Sequence, residues 1–471
     1  MSPARLSPSG EVARRFHEAT KHSYESIRTR AHFLDWENKP FPFKRYREEL
    51  PRRPLPEEDD VGRTLRLGAG IHHVRRYVPG DEIHFRTYAS AGALYPVEVY
   101  LADRSALWHF DPAGPGLAEL RQGDHRPHVV RAAGDAVARA DSVLILTGIP
   151  WRTAWKYTER GYRHLYWDAG MILANVLALA SESGLTARVV AGFVDAELEA
   201  LLGLDGGHEF PLCLVALGST DPIEPAPAPA KPLDLHPLPL SRQVHVFEGI
   251  REINDAGRLA DQAALRRWSE AWAGGEPRPT DEAGVGFQLP VPVEEAIRRR
   301  GSARRFGRRP MPVAVLRDVL ASAATTEVEP FVIVNNADGL DRGTYVFHGG
   351  DLHQVRDGDL RREAGYLCLE QALGATSAAT VFLLADLEDI LDRLGDRGYR
   401  VANLAAGMAG GRLYLSAYGF GFGATGLTFY DDEVVRAFSP DADEKACLLV
   451  VAVGDSPRLR RDLEGRPNND V

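Results

Sequence analysis

Runs of apolar residues, broken by charged and glycine- or proline-rich stretches, set out most of the elements of this chain. Continuous apolar segments at Val97–Ala102, Ser142–Thr147, Ala187–Gly192 and Leu212–Leu217 predict buried strands, and Trp108–Phe110 predicts a further strand. Phe331–Asn335, Thr344–Phe347, Val381–Ala385 and Ala446–Val453 read the same way. Between them, apolar positions at three- and four-residue steps (Tyr162, Leu165, Tyr166, Ala169, Leu173, Val176, Leu177, Ala180) predict a long helix that Ser183-Gly184 stops. Gly398–Tyr418 predicts a second long helix. Shorter helices are expected at Val61–His72, Ala196–Leu202, Val293–Arg300 and Pro312–Ala323, and Val244–Ala273 reads as a helical connector. Thr220–Leu240, rich in proline and alanine, reads as a semi-rigid extended spacer that neither pairs in a sheet nor forms a helix.

The pattern repeats. Arg-Gly-Tyr-Arg at Arg160–Arg163 recurs at Arg397–Arg400, an offset of 237 residues, and at that offset Ala169-Gly170-Met171 meets Ala406-Gly407-Met408. Phe193 then falls on Tyr430, and after one deletion the segment from Cys213 falls on the segment from Cys447. Two copies of this length mean a duplicated domain. The copies are expected to pack as an intramolecular pseudo-dimer. The expected division is an arm over 1–60, a first domain over 61–220, a linker and connecting helix over 221–290, and a second domain over 291–471.

Composition narrows the chemistry. The chain has 471 residues and a net charge of −10, without basic blocks, which argues against nucleic acid and anionic membrane as partners. No apolar run is long enough to span a bilayer, and Met1–Glu11 shows no apolar signal segment. The three cysteines, Cys213, Cys368 and Cys447, have no paired spacing, so no metal site is expected and a reducing cytoplasm fits. Six lysines against fifty arginines make Lys156, beside Tyr157, worth notice. Burial can turn a lysine into a base, although a lysine beside a core aromatic is more often only a snorkelling surface residue.

The copies differ where chemistry is expected. The first carries the small-residue loop Ser90-Ala91-Gly92-Ala93-Leu94-Tyr95-Pro96, whose main chain can approach a flat ligand closely. The second carries Arg300, Ser302 and Arg304, which suit a phosphate or make a solvated basic helix end. It also carries the glycine-rich segment Phe420–Leu427, which offers backbone N–H groups or simply caps a helix. Each copy has what the other lacks, so one composite site is expected.

Together these residues resemble the nitroreductase-like flavoproteins, specifically the SagB/McbC-type (thiazole/oxazole) dehydrogenases. The carriers are Phe16–His22, Ser90–Pro96 with Val97–Tyr100, Lys156-Tyr157 through Arg163, Asp168-Ala169-Gly170 with Asn175, Arg300–Phe306, and Gly423–Asp431. The chain departs from the family pattern at Ala89, Met171 and Gly301. The resemblance implies an α+β fold, two units each with a central, mainly antiparallel sheet flanked by helices, and FMN bound between them. Arg300, Ser302 and Arg304 would hold the phosphate and ribityl chain. Ser90, Ala91 and Gly92 would reach the flavin from the other unit, and Ala424, Thr425 and Gly426 would lie along its ring. Lys156 and Tyr157 match the pair assigned to catalysis. The implied activity is oxidation of peptide azolines to azoles, with a peptide substrate and a separate cyclodehydratase, in a monomeric pseudo-dimer or a homodimer. An NAD(P)H-dependent reductase of nitro, quinone or enone compounds and a non-catalytic flavin-binding subunit are the alternatives.

Overall fold

The computed structural model describes residues 10–29, 32–55, 59–78, 81–114, 116–273, 289–325 and 327–464. The segment Met1–Ser9 of the arm, 274–288 of the linker and 465–471 of the second domain therefore lie outside them. The first half is built on strands β1 (Arg52–Pro54), β4 (Val97–Ala102), β5 (Ala106–Asp111), β6 (Gly116–Gln122), β7 (Ser142–Gly148), β8 (Ala187–Val190) and β9 (Phe210–Leu217), with β2 (Ile71–Val78) and β3 (Asp81–Arg86) forming a separate ribbon. The second half contributes β10 (Met311–Pro312), β11 (Glu329–Val334), β12 (Ala337–Asp338), β13 (Gly343–His348), β14 (Asp351–Asp357), β15 (Ala379–Ala385), β16 (Gly423–Leu427) and β17 (Ala446–Gly454).

The two large sheets have the same order. Sheet one runs β1-β6-β5-β4-β7-β9-β8 and sheet two runs β14-β13-β11-β15-β17-β16, so they match strand for strand apart from the extra edge strand β1. All pairings within them are antiparallel. Even the irregularities correspond: β7 shifts register at Leu146/Thr147 and β15 at Leu383/Leu384, 237 residues on. The central strands are apolar throughout because both faces are covered. On sheet one, Val99, Leu144, Leu146 and Val215 face the long helix, while Tyr100, Val143, Ile145 and Leu214 join the residues packed on the far side. The outermost strand β14 keeps mostly exposed residues.

The long helices Gly161–Ser183 and Arg397–Gly419, each of 23 residues, pack on each other at the pseudo-two-fold axis. Their backbones touch at the glycines that the repeat aligns. A Cβ on Gly170 would sit 2.4 Å from the Met408 nitrogen, and one on Gly407 would sit 2.6 Å from the Trp167 carbonyl oxygen. Both helices are buried nearly all round, which explains an apolar pattern wider than an ordinary amphipathic stripe.

Several expectations need correction. The glycine-rich segment Phe420–Leu427 caps the second long helix only over Phe420–Phe422, and Gly423–Leu427 is the edge strand β16. The ribbon β2–β3 and the strands β6 and β14 have no counterpart in the apolar reading, because charged and polar residues interrupt their apolar positions. The connector is two helices, Glu248–Ala256 and Gln262–Ala273. The proline-rich spacer does pair: Arg47 N–H donates to His236 O and Leu238 N–H to Arg45 O, so that it runs antiparallel to the N-terminal arm. Cys213 and Cys447 lie buried on equivalent strands but not at equivalent positions. Cys213 pairs with Leu146, while the partner of the corresponding Leu383 is Leu449.

Candidate functional site

Between the halves lies a cavity of about 880 Å³. Its first wall is the Ser90–Pro96 loop. Ser90 Oγ accepts from Tyr95 N–H at 3.0 Å, and Tyr95 Oη accepts from Arg86 N–H at 3.1 Å, which closes the loop on itself. The loop turns through left-handed backbone at Gly92 (φ 66°), Ala93 (φ 52°) and Tyr95 (φ 49°). Two of these are not glycine, so the turn stores strain that the surrounding hydrogen bonds hold.

Lys156 and Tyr157 end the helix Pro150–Tyr157 and meet over Gly92. A Cβ on Gly92 would lie 3.3 Å from Tyr157 Oη and 3.4 Å from Lys156 Nζ. The glycine therefore leaves open the ground directly beneath both polar tips. Partial burial, with Lys39 and Arg304 nearby, lowers the Lys156 pKa from its ordinary value. Burial pushes the Tyr157 phenol up, helped by Asp168, so it keeps its proton. Tyr157 is held from behind by His164, stacked on it at 4.2 Å, and His164 in turn abuts the Trp167 ring at 4.6 Å. Burial and the arginines Arg160 and Arg163 keep His164 well below the usual imidazole range. The pair is thus a half-exposed amine whose charge is disfavoured, beside a neutral phenol.

The second half supplies the opposite wall. Arg300 follows the helix Val293–Arg299 and crosses the interface, where Nε donates to Thr87 O at 3.1 Å and Nη2 to Arg86 O at 2.5 Å. Two of its donor positions are thereby spent on the first half, and it ties the arginine segment to the strand leading into the Ser90 loop. Ser302 and Arg304 are exposed on the cavity wall with Arg458. A groove of about 530 Å³ runs on from here between Arg75, Arg298, Arg299, Arg305 and Arg461. Thr425 and Gly426 line the cavity from the edge strand β16, and Gly426 N–H donates to Tyr414 Oη at 2.6 Å. Ala424 does not reach the cavity. It is buried, and its carbonyl accepts from Ala303 N–H at 3.0 Å, which braces the Arg300–Arg304 segment from behind.

The cavity is fixed by two reciprocal buried ion-pair clusters. Arg160 and Arg163 of the first half each reach Asp431 of the second at 2.9 Å. Arg397 and Arg400 of the second half reach Asp195 of the first at 2.7 and 2.8 Å. The repeated Arg-Gly-Tyr-Arg motif is therefore an interface device. Each copy's arginines clasp the first residue of a helix in the other copy. These contacts also correct the alignment: Arg160 lies over Phe429 as Arg397 lies over Phe193, so Phe193 corresponds to Phe429 and not to Tyr430. The arm joins the same cluster. Thr20 O accepts from Arg160 Nη1 at 2.7 Å, and His22 N–H donates to Asp431 at 2.8 Å.

At the symmetric position, the counterpart of one cavity wall is covered. Thr428 and Phe429, beside Arg160, line the open cavity. Across the axis, the equivalent Gly192 and Phe193, beside Arg397, are covered by Trp268 of the connecting helix. A Cβ on Gly192 would lie 2.5 Å from the Trp268 ring, and the Arg397 guanidinium lies 5.8 Å from that ring's centre.

Sequence reasoning missed several wall residues. Arg160, His164, Trp167, Asp168 and Met171 recur at three- and four-residue steps on the cavity side of the long helix, a signal masked by the helix being apolar all round. His73, Val74 and Phe85 come from the β2–β3 ribbon, which no apolar run announced. The donor set fits an anionic, flat ligand: arginines and a serine at one end, glycine-cleared backbone and aromatic rings at the other. Among the described residues no cluster of metal ligands occurs, and no helix is long and apolar enough to cross a membrane.

Comparison with known proteins agrees with the duplicated fold. The family model described as "Nitroreductase family" matches residues 51–219 and 297–455. A Methanocaldococcus jannaschii protein described as "Putative nitroreductase MJ1384" is 30% identical over 179 residues, which cover 36% of this chain and 87% of that protein. The microcin B17-processing protein McbC of Escherichia coli is 26% identical over 149 residues, covering 29% of this chain and 55% of McbC. A crystal structure from Anabaena variabilis, described in the same two words as the first relative, superimposes with a TM-score of 0.78 at 24% identity, covering 94% of this chain and 99% of that one.

Proposed function

The chain belongs to the nitroreductase family, and we propose that within it the protein is an FMN-dependent dehydrogenase that oxidises peptide-linked azolines to azoles. The observation that carries this reading is the meeting of Lys156 Nζ and Tyr157 Oη over Gly92 in a cavity whose far end is lined by arginines. Similarity to McbC, a microcin-processing protein, supports a peptide substrate. FMN, when bound, supplies the two-electron acceptor.

The residues divide the remaining work. Ser302 and Arg304, with the N–H donors that Arg300 has left, would take the phosphate. Ser90, Ala91 and Gly92 would border the ring from the first half, and Thr425 and Gly426 from the second. Lys156 Nζ, with its lowered pKa, takes the Cα proton of the azoline. Tyr157, which keeps its phenolic proton, orients the substrate by donating a hydrogen bond. Aromatisation then favours the product. The ring-forming step belongs to a separate cyclodehydratase, and a cytoplasmic setting fits three unpaired, buried cysteines.

The test is Lys156→Ala. It should leave FMN bound and lower turnover by ~10²–10⁴-fold, read as loss of two hydrogens from an azoline peptide by mass spectrometry. Undiminished turnover with FMN bound would refute the assignment. A second reading, an NAD(P)H-dependent reductase, is favoured by the arginine groove that extends past the cavity, since a dinucleotide carries further phosphates. Rapid bleaching of the flavin by NADPH without peptide would select it.

A further inference from the structure

Gln371 lines the cavity from the second half, and the chemistry proposed above does not use it. It sits between the short helices Arg361–Leu367 and Ala372–Thr376. The two residues before it, Leu369 (φ 54°) and Glu370 (φ 59°), are both left-handed although neither is glycine. Such backbone persists only where its surroundings hold it, and it gathers at functional sites. Several contacts hold it here. Glu370 pairs with Arg28 of the arm at 3.4 Å, and Gln371 N–H donates to Cys368 O at 3.2 Å. Tyr430 N–H donates to Leu367 O at 2.9 Å, which fastens the loop to the segment after β16.

The side-chain amide of Gln371 is fixed in polarity. Nε2 donates to Cys368 O at 2.8 Å and to Thr428 O at 3.3 Å, so both of its N–H groups meet backbone carbonyls. Turning the amide over would set Oε1 against the same two oxygens, so these contacts assign which end is which. Among the described residues nothing donates to Oε1, and this oxygen is not sealed from solvent. Gln371 therefore offers the cavity an acceptor and no donor. It also stands away from the arginine end. Ala424, near the start of β16, is tied to Ala303 of the arginine segment, and the chain then runs through Thr425 and Gly426 to Thr428. Extended chain from Ala424 to Thr428 covers about 13 Å. Phe429 comes next and lies under Arg160, three residues after Tyr157. The acceptor is thus displaced toward the end of the cavity that holds Lys156 and Tyr157.

We propose that Gln371 is a specificity-determining residue, whose Oε1 accepts a hydrogen bond from a main-chain amide N–H of the peptide beside its azoline ring. Nitro compounds, quinones and simple enones present oxygens that accept, and they have no N–H to give. An acceptor of fixed polarity discriminates against such molecules, because it is left unpaired when they bind. The inference rests on the azoline-peptide reading and names the part of the substrate that this residue meets.

The test measures, by calorimetry on the flavin-loaded protein, the Kd of a short synthetic peptide with a thiazole at its centre, which is already oxidised and cannot turn over. Analogues replace each amide near the ring, one at a time, by an ester, which removes a single N–H. In the wild type one such position should weaken binding about fivefold, the worth of one hydrogen bond. Gln371→Met keeps the length of the side chain and drops both polar atoms. It should retain its flavin, bind the parent peptide about five- to tenfold more weakly, and be indifferent, within about twofold, to the ester at that same position. An ester effect that persists undiminished in Gln371→Met would overturn the proposal. The wild-type series needs no variant, and it too would overturn the proposal if no position cost more than about twofold. If the coupling is present but the corresponding thiazoline peptide loses no hydrogens, the dehydrogenase reading ends while Gln371 keeps its peptide partner.

Discussion

Replacing Asp431 with alanine would leave two arginines of the opposite half, Arg160 and Arg163, buried at 3% and below 1% exposure without their counterion. The same change removes the acceptor of the His22 N–H in the arm. Breaking a buried ion pair from one side costs about 3–5 kcal/mol, because the remaining charge stays desolvated. With two charges stranded, the upper end applies. A chain of 471 residues unfolds with an entropy of about 1 kcal/mol/K at ~2.1 cal/mol/K per residue, so the expected fall in Tm is about 5 °C. Circular dichroism melts at neutral pH measure it. Removing both arginines as well, in Asp431→Leu with Arg160→Met and Arg163→Met, should recover most of the loss, since an apolar replacement needs no counterion. Asp195→Ala, the pseudo-symmetric change, should cost about as much. The sign with pH follows from the same contact. The arginines hold both carboxyls below the usual carboxylate range, so in this region the unfolded chain binds more protons than the folded one. The pair's stability is complete above about pH 4, the unfolded carboxyl value, and is lost as the pH falls below it. The wild type should therefore lose stability in acid more steeply than either alanine variant. A Tm unchanged to within about 1 °C in Asp431→Ala would refute the view that these clusters hold the halves together.

The remaining predictions concern glycines. Gly92→Ala puts a methyl group against Tyr157 Oη and Lys156 Nζ on left-handed backbone. It should cost ~1–2 kcal/mol of stability and displace the two polar tips, with turnover falling at least tenfold while the phosphate end still holds the cofactor; unaltered kinetics would remove the pair from the site. Gly407→Val would drive side-chain carbon into the Trp167 backbone. Since backbone cannot yield as a side-chain tip can, the variant should be destabilised by about 3 kcal/mol or more and lose ligand binding along with stability, read by denaturant titration.

Much of this architecture was legible in the chain, and the parts that were not share a cause. Central strands such as β7 and β15 bury every residue, so a plain apolar run announces them. The ribbon β2–β3 carries His72, His73, Arg75 and Arg76, and its strands pair only with each other, so nothing in its composition separates it from a loop. The repeat was visible because the close approach at Gly170 and Gly407 and the two ion-pair clusters restrict the same positions in both copies. What the Arg-Gly-Tyr-Arg motif does was not visible, because its partners Asp431 and Asp195 are more than two hundred residues away in both copies. Site residues announced by unusual local chemistry, the Ser90 loop and Arg300–Arg304, meet at the cavity. Those on the long helix hid in its uniform burial, and Ala424, placed at the ring by the family resemblance, lies buried behind Ala303.

Trp268 carries a consequence for stoichiometry. A pair of identical chains would have to keep both crevices alike, whereas here the covalent strap between the halves supplies its own permanent guest for one of them. That guest is 4% exposed and stacks on Trp272, and its tether keeps it at a fixed effective concentration that dilution does not lower. The molecule should therefore saturate at one equivalent of prosthetic group per chain, and the spare crevice has become part of what keeps the halves joined.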